Sequence, residues 1–288
     1  MLLQQLVNGV VAGGLYALVA LGLTMVYGVL RILHVAHAGI YTLGAYLGLV
    51  FYSASHNFPL ALLGAMALGA LAGYLIQRLL YQPLLGAPPL VPLIASIGLF
   101  ILLGDTYRLV FGAQTLAFRA GVAEPEPYRL AGVAITGTQV LILAVAAALL
   151  AVTWLVVNRT RIGLAWRAVA TDLEIARAMG VDAARAVGLN VALGSALAAA
   201  AGVLVAYHYN EVFPAMGDVP AYKMLAIVVL GGLGNPVGTV AASLFLGLAE
   251  TLVVAYAGYL LPRDAIAFVA LIGALMLRPQ GLFARRGT

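Results

Sequence analysis

The chain has 288 residues, of which 64% are hydrophobic and 9% charged, with a formal net charge of +5. Soluble domains carry about 25% charged residues. A chain this apolar cannot cover itself with water-compatible surface, so a soluble enzyme is excluded and lipid is the solvent. The absence of cysteine also removes disulfides and thiolate metal sites.

The first five residues, Met1 to Gln5, lack the basic region of a cleavable signal peptide, so the first apolar run is expected to be a retained span. A span needs ~20 mostly apolar residues. Runs of that kind stand at about 5–29, 38–54, 59–81, 90–112, 139–157 and 187–209. The stretch 222–278 holds more apolar residues than one span can use and is interrupted at Gly231, Gly232, Gly234 and Pro236. It divides into a short segment at 222–232, a long helix at 237–257 and a last helix at 264–278. The expected fold is therefore all-α and polytopic, with nine spans, or eight if the short segment is re-entrant. Backbone broken at membrane depth is tolerated only where protein or a water-filled cavity covers it, which puts the glycine break in the bundle interior.

Basic residues give the orientation, because cytoplasmic loops are enriched in them. Placing loop 158–186 and the C-terminus inside leaves ten basic residues inside, among them Arg31, Arg78, Arg159 and Arg185. Five are then outside, namely Arg108, Arg119, Arg129, Lys223 and Arg263. Small residues recur every fourth position at Gly9, Gly13 and Ala17 and at Ala65, Gly69 and Gly73. Such ridges let helix backbones approach closely, within one bundle or across a subunit interface.

Loop 158–186 is the most polar part of the chain. Its apolar residues Ile162, Trp166, Val169, Leu173, Ala176 and Gly180 recur at steps of four and three, which makes one stripe of an amphipathic helix. Arg167, Thr171 and Glu174 stand on the other face, with Asp172 and Arg177 at its margins. Gly180 supplies a helix stop and Asp182 a cap for the next helix. Such a helix either lies on the membrane surface or docks into a groove of a soluble partner.

Ionisable groups at membrane depth face a cavity or a partner. Asp105 and Arg108 are expected to pair near the outer face, and His34 and His37 to sit at the cytoplasmic end of the first helix. Glu250 falls inside a long span, as a structural partner or part of a gate. No G-x-x-x-x-G-K-[ST] loop is present, so the chain has no phosphate cradle of its own.

Five segments, in order, carry a resemblance. Arg159-Thr160-Arg161-Ile162-Gly163-Leu164-Ala165-Trp166-Arg167, with Ala176-Arg177-Ala178-Met179-Gly180-Val181 behind it, resembles the coupling loop of branched-chain amino-acid ABC importer permeases. The first helix, from Asn8-Gly9 to Tyr27-Gly28, is similar to that family's first helix. Val229 to Gly238 resembles its glycine-rich segment, and Arg278-Pro279-Gln280-Gly281-Leu282-Phe283 its C-terminal signature. Ser96-Ile97-Gly98-Leu99 and Phe111-Gly112-Ala113-Gln114 bracket the fourth span in the family's manner.

The resemblance implies a single permease domain over 1–288 in the bacterial inner membrane. It implies a second related permease, two ATPases that bind ATP and Mg, and a periplasmic binding protein that delivers substrate. It assigns Arg167, Thr171, Asp172, Glu174, Arg177, Met179 and Gly180 to ATPase coupling, and leaves His34, His37, Asp105 and Glu250 as pathway or gate candidates. One departure bears on substrate. Where the family shows Asn-Phe-Ala-His-Gly and then an acid, this chain reads His34-Val35-Ala36-His37-Ala38-Gly39. Urea or short amides are therefore alternatives to branched-chain amino acids. The competing reading is an ion-coupled secondary transporter using Glu250, Asp105 and the histidines; it has no need of the amphipathic loop. A membrane-embedded enzyme lacks a Ser/His/Asp or metal constellation, and a passive channel is compatible with the composition.

Overall fold

The computed structural model describes residues 2–119, 127–130, 132–258 and 262–277. The chain is an all-α polytopic membrane protein. Among the described residues, six helical stretches are long and apolar enough to cross a bilayer: Leu2–Leu30, Phe58–Leu84, Leu90–Phe111, Gly137–Arg159, Ala183–Tyr209 and Pro236–Ala257. The helices are α1 (Leu2–Leu30), α2 (His37–Ser55), α3 (Phe58–Ile76), α4 (Gln82–Leu84), α5 (Leu90–Phe111) and α6 (Gly137–Arg159), followed by α7 (Arg161–Thr171), α8 (Leu173–Ala178), α9 (Ala183–Tyr209), α10 (Asp218–Gly231), α11 (Pro236–Ala257) and α12 (Arg263–Leu277). A π-helical turn at Gln77–Tyr81 joins α3 to α4. The loop between α5 and α6 carries a short antiparallel hairpin of β1 (Tyr128–Leu130) and β2 (Val133–Ile135), which the sequence reading did not include.

Apolarity does not tell inner helices from outer ones in a membrane, because lipid is as apolar as a core. Small residues do. The most apolar window of α1 is 89% buried and that of α9 78%, against 17% for both α5 and α6. α1 carries Gly9, Gly13, Ala17 and Gly22 on buried positions, and α9 carries Gly194, Ala198, Ala199 and Gly202. Both small-residue ridges are used within the chain. A methyl added at Gly9 or Gly13 would stand 2.8–2.9 Å from Leu248 or Leu244 of α11, and one at Gly69 would stand 2.5 Å from Ala199 of α9.

The bundle has two distinguishable ends. α7 and α8 pack at one, near the C-terminus of α1 and the N-terminus of α9: Arg31 donates to the Ala170 carbonyl at 3.3 Å. At the other, Gln4 pairs with the Ala134 backbone and Asn8 accepts from Gln139 at 3.1 Å.

Two segments turn back into the bundle. After α1 the chain reverses at Arg31 (φ 57°) and climbs inward, so α2 begins with His37 beside Val19 of α1. After α9 it reverses at Asn210 (φ 58°), is pinned by a bridge between Leu116 and Val212, and descends to Gly217. A methyl on Gly217 would stand 2.6 Å from Thr42 Oγ1 and 2.7 Å from the Ala38 carbonyl oxygen of α2. α10 therefore starts within the bundle, and its 14 residues are too few for the ~20 that a bilayer requires.

Candidate functional site

At the α7–α8 end, Thr160 ends α6 and caps α7, its hydroxyl accepting from Gly163 N at 3.1 Å. Gly163 lets α7 fold flat against the end of α6, because a side chain there would run into the carbonyls of Val156 and Val157. Trp166 anchors the helix by donating its indole N–H to the Ala186 carbonyl at 2.7 Å.

The single amphipathic helix expected over this stretch is two helices. Asp172 is extended (φ −153°), ends α7 and caps α8, accepting from Glu174 N and Ile175 N at 2.9 Å each. An aspartate that can satisfy two amides at a new helix start competes with continuing the old one. Its carboxylate is thus a cap, and Arg167 folds back to donate to the Val157 carbonyl. The anchoring stripe narrows to Trp166, Val169 and Ala176, whereas Ile162 and Leu173 are exposed. Thr171, Glu174, Arg177 and Met179 stay exposed, Met179 at 80%, together with Leu164 and Ile175. Gly180 adopts φ 83°, the left-handed turn that ends α8. The surface left uncovered is mixed, charged and apolar side by side.

In the interior, Glu250 of α11 meets Lys223 of α10 and Tyr16 of α1. Lys223 Nζ lies 3.0 Å from each carboxylate oxygen, and the Tyr16 hydroxyl donates to Glu250 Oε2 at 2.8 Å. Lys223 also reaches the Tyr16 oxygen at 3.2 Å. The side chains of Lys223 and Glu250 are 3% and 0% exposed. Lys223, counted among the outer basic residues at the head of the 222–232 segment, is buried inside the bundle. The re-entry at 210–217 carries it inside, on the second turn of α10, where a buried carboxylate must meet a counter-charge. Sequence reasoning found Glu250 and missed its partner. The available signal was a lone lysine at the head of an apolar segment.

The Lys223 side of this cluster borders a cavity of about 270 Å³ between α1, α10 and the returning segment, walled by Leu15, Val19, Met224 and Ile227. Glu211, Tyr209 and Val219 lie on its lining and are exposed, which marks its mouth toward the end opposite α7–α8. A second hollow of about 380 Å³, bordered by Gln5, Asn8, His208 and Thr251, shares Ala12, Leu15 and Tyr209 with it.

His34 and His37 are fully buried, not at the end of the first helix, because segment 31–36 turns inward. His37 Nε2 donates to the Val19 carbonyl at 3.2 Å, and His34 Nδ1 lies 2.5 Å from the Tyr81 hydroxyl. Their rings meet edge to face at 5.5 Å. Val19 also lines the cavity, so the histidine pair and the Glu250 cluster lie within a turn of each other along α1. Asp105 joins neither. It pairs with Arg108 at 3.1 Å on the outer surface of α5, where both are more than half exposed. Among the described residues no three His, Cys, Asp or Glu side chains converge on one point.

Gly231, Gly232, Gly234 and Pro236 form the turn between α10 and α11. Gly232 and Gly234 have φ 91° and 78°, Asn235 caps α11, and Pro236 opens it. Gly231 presses on the Gly238–Thr239 backbone with no room for a methyl. These glycines serve a tight reversal, not a phosphate cradle. The signature at 278–283 lies outside the described residues.

Comparison with known proteins places this architecture. Residues 5–278 match the family described as "Branched-chain amino acid transport system / permease component". The chain is 34% identical to the high-affinity branched-chain amino acid transport system permease protein BraD of Pseudomonas aeruginosa, covering 98% of this chain and 96% of that protein. It is 32% identical to LivH of Escherichia coli K12, a permease protein of the same description, with the same coverage. It is 27% identical to LivM of Escherichia coli K12, over 93% of this chain and 67% of that protein. No solved structure matches the chain. The chain belongs to the family of branched-chain amino acid transport permeases and is an ABC importer permease subunit.

Proposed function

We propose that this subunit forms part of the translocation pathway of an importer for branched-chain amino acids, the transport system of which BraD and LivH are permease proteins. In this reading it is a single permease domain crossing the bacterial inner membrane eight or nine times, with α7 and α8 in the cytoplasm. A second related permease completes the membrane unit, in the way that both a LivH and a LivM are found in Escherichia coli K12. Two ATPase subunits hold ATP and Mg, and a periplasmic protein delivers the substrate.

The observation that carries this reading is the α7–α8 surface. It is anchored to the bundle through Trp166, with Asp172 starting α8 at the end of α7, yet presents Thr171, Glu174, Arg177 and Met179 outward beside Leu164 and Ile175. Exposed apolar residues rimmed by charge suit a shaped protein groove. Arg167 ties α7 to the end of α6, Asp172 caps α8 where α7 ends, and Gly180 closes α8. Glu250, with Lys223, belongs to the pathway side, and His34 and His37 to the neighbouring turn of α1.

The test is co-expression with candidate partner permease and ATPase subunits. The chain should co-purify with a second permease and two ATPases, and the assembly should take up leucine only with ATP. Ion-driven leucine uptake by the isolated chain in liposomes would reverse the conclusion in favour of a secondary transporter.

A further inference from the structure

We infer that the inward-turned segment 31–37 is a gate that closes the cavity of this subunit toward the cytoplasm, and that α7 moves it through Arg31. This rests on the importer reading and adds to it the part that opens and the route by which the α7–α8 surface reaches it.

The first argument is position. The cavity opens toward the end opposite α7–α8, and its lining includes Val19 of α1 and Tyr41, which stands one turn beyond His37 on α2. His37 is bonded to the Val19 carbonyl, so the segment ends against the cavity wall. It begins at Arg31, whose guanidinium donates to the Ala170 carbonyl of α7. Seven residues therefore connect the α7–α8 surface to the inner end of the cavity.

The way the segment is held sets it apart from its surroundings. α1 and α11 run together from Gly9 beside Leu248 to Thr24 beside Thr239, with no room for a methyl at Gly9 or Gly13. That contact opens only by parting two long helices. Residues 31–36 have no helix of their own and hang on one chain of hydrogen bonds. Ala36 N donates to Ser96 Oγ at 3.0 Å, Ser96 bonds to Tyr81, and the Tyr81 hydroxyl meets His34 Nδ1 at 2.5 Å. Irregular backbone flanks this chain on both sides, the left-handed Arg31 and the π-helical turn Gln77–Tyr81. Such turns concentrate at functional sites, and a few irregular residues suffice to absorb a hinge motion.

Polar bookkeeping completes the case. His34 Nε2, His37 Nδ1 and Gln77 Nε2 are buried with no hydrogen-bond partner among the described residues. A buried polar atom left unpaired raises the energy of the state that buries it. Water entering on opening recovers that energy, so the closed state is held without being deep. A half-satisfied network makes a poor permanent wall and a serviceable gate.

The test uses the assembled importer with Val19→Cys as the one cysteine of this chain, since the native chain has none. A small charged methanethiosulfonate is added to the outer side in spheroplasts, or to the cytoplasmic side in inside-out vesicles that enclose the binding protein and leucine. Without ATP the thiol should react from outside and about tenfold or more slower from the cytoplasm; with ATP the cytoplasmic rate should rise about tenfold. Tyr81→Phe breaks the chain at His34 and should raise the cytoplasmic rate up to about tenfold without ATP, the worth of one buried hydrogen bond. If that variant does not assemble, Ser96→Ala breaks the same chain and is read in the same way. Arg31→Asn keeps a residue that accepts left-handed backbone but removes the guanidinium. It should keep the ATPase bound and lose the ATP-dependent rise. Equal resting rates from the two sides, no rise with ATP, or an unchanged rate after the chain is broken overturns the gate while leucine uptake continues. A full rise in Arg31→Asn overturns the link to α7. A complex that recruits no ATPase and takes up no leucine would instead sink the importer reading.

Discussion

Lys223 and Glu250 hold each other inside the bundle, with the lysine Nζ 3.0 Å from each carboxylate oxygen and both side chains almost wholly buried. They come from α10 and α11, whose connecting turn is the glycine-rich stretch 231–235, and Tyr16 of α1 closes the cluster. Neither charge could remain without the other. Glu250→Gln leaves a buried ammonium facing an amide, and Lys223→Met leaves a buried carboxylate. Each single change is expected to cost about 3–5 kcal/mol, because an uncompensated charge remains. Changing both to an uncharged pair should cost less than either alone. The measurement is a double-mutant cycle on the thermal stability of the detergent-purified subunit. Additive single and double effects would mean the pair does not stabilise the fold.

Helix crossings supply a second prediction. Gly22 of α1 faces Gly194 of α9 and the His37 ring; an added methyl would stand 2.5 Å from the Gly194 carbonyl oxygen and 2.7 Å from His37 Nε2. Neither backbone nor a fully buried ring can retreat. Gly22→Val should therefore cost about 1–3 kcal/mol, read as a fall in folded yield and Tm. Gly98→Ala in α5, where nothing lies within 4 Å of the added methyl, is the matched control and should be neutral. Equal tolerance of both would refute the packing at the α1–α9 crossing.

The contrast between these glycines shows what the sequence could and could not reveal. Apolar run length located the long helices, because span length is fixed by bilayer thickness and rise per residue. The every-fourth-residue ridges at Gly9–Gly13 and Ala65–Gly69–Gly73 located two close contacts, though not which helix each one met. The inward turn before α2 was not legible, and for α10 the shortness of 222–232 gave re-entry only as one of two alternatives. The two reversals depend on Arg31 and Asn210 taking left-handed backbone, which asparagine favours but arginine does not announce. The unseen turn before α2 misplaced His34 and His37, and the pairing of Lys223 with Glu250 was not foreseen. The coupling stripe was half legible: the period gave Trp166, Val169 and Ala176 as anchors, but periodicity cannot see that Asp172 caps a new helix and ends the old one. Had the Asp172-x-Glu174 spacing been weighed as a cap, the break would have been found.

A third prediction concerns sidedness. Thr115 precedes Leu116, which bridges Val212 at the end opposite α7–α8, and Thr171 ends α7 itself. Both are exposed. Thr115→Cys should react with an impermeant thiol reagent added to intact spheroplasts, and Thr171→Cys only after the membrane is opened. No native cysteine competes. Reaction of both from the same side would refute the assignment of α7 and α8 to the cytoplasm.

The last prediction separates the anchoring residues of the α7–α8 surface from those that touch the ATPase. Trp166 and Asp172 hold the two helices in place, through the bond to the Ala186 carbonyl and the cap on Glu174 and Ile175. Glu174 and Arg177 are exposed. Glu174→Arg with Arg177→Glu keeps net charge and nearly keeps helix propensity, so the isolated subunit should fold as before and reach the membrane in normal amount. Its contact with the ATPase should suffer, because displacing a buried charged partner costs about 2–5 kcal/mol. At about 1.4 kcal/mol per decade, that is a loss of affinity from tenfold to several thousandfold. Asp172→Ala acts differently: it removes a cap worth about 1 kcal/mol and loosens α8 against α7. The ATPase should still bind to it, more weakly, but substrate should stimulate hydrolysis less. Gly180→Val should resemble Asp172→Ala, since a β-branched residue is strained at φ 83°. Binding is read by co-elution of the ATPase in mild detergent, and coupling by the ratio of ATP hydrolysis with and without the loaded binding protein. If the charge swap binds the ATPase as tightly as the native chain and keeps full stimulation, α8 is not where the motor grips this subunit.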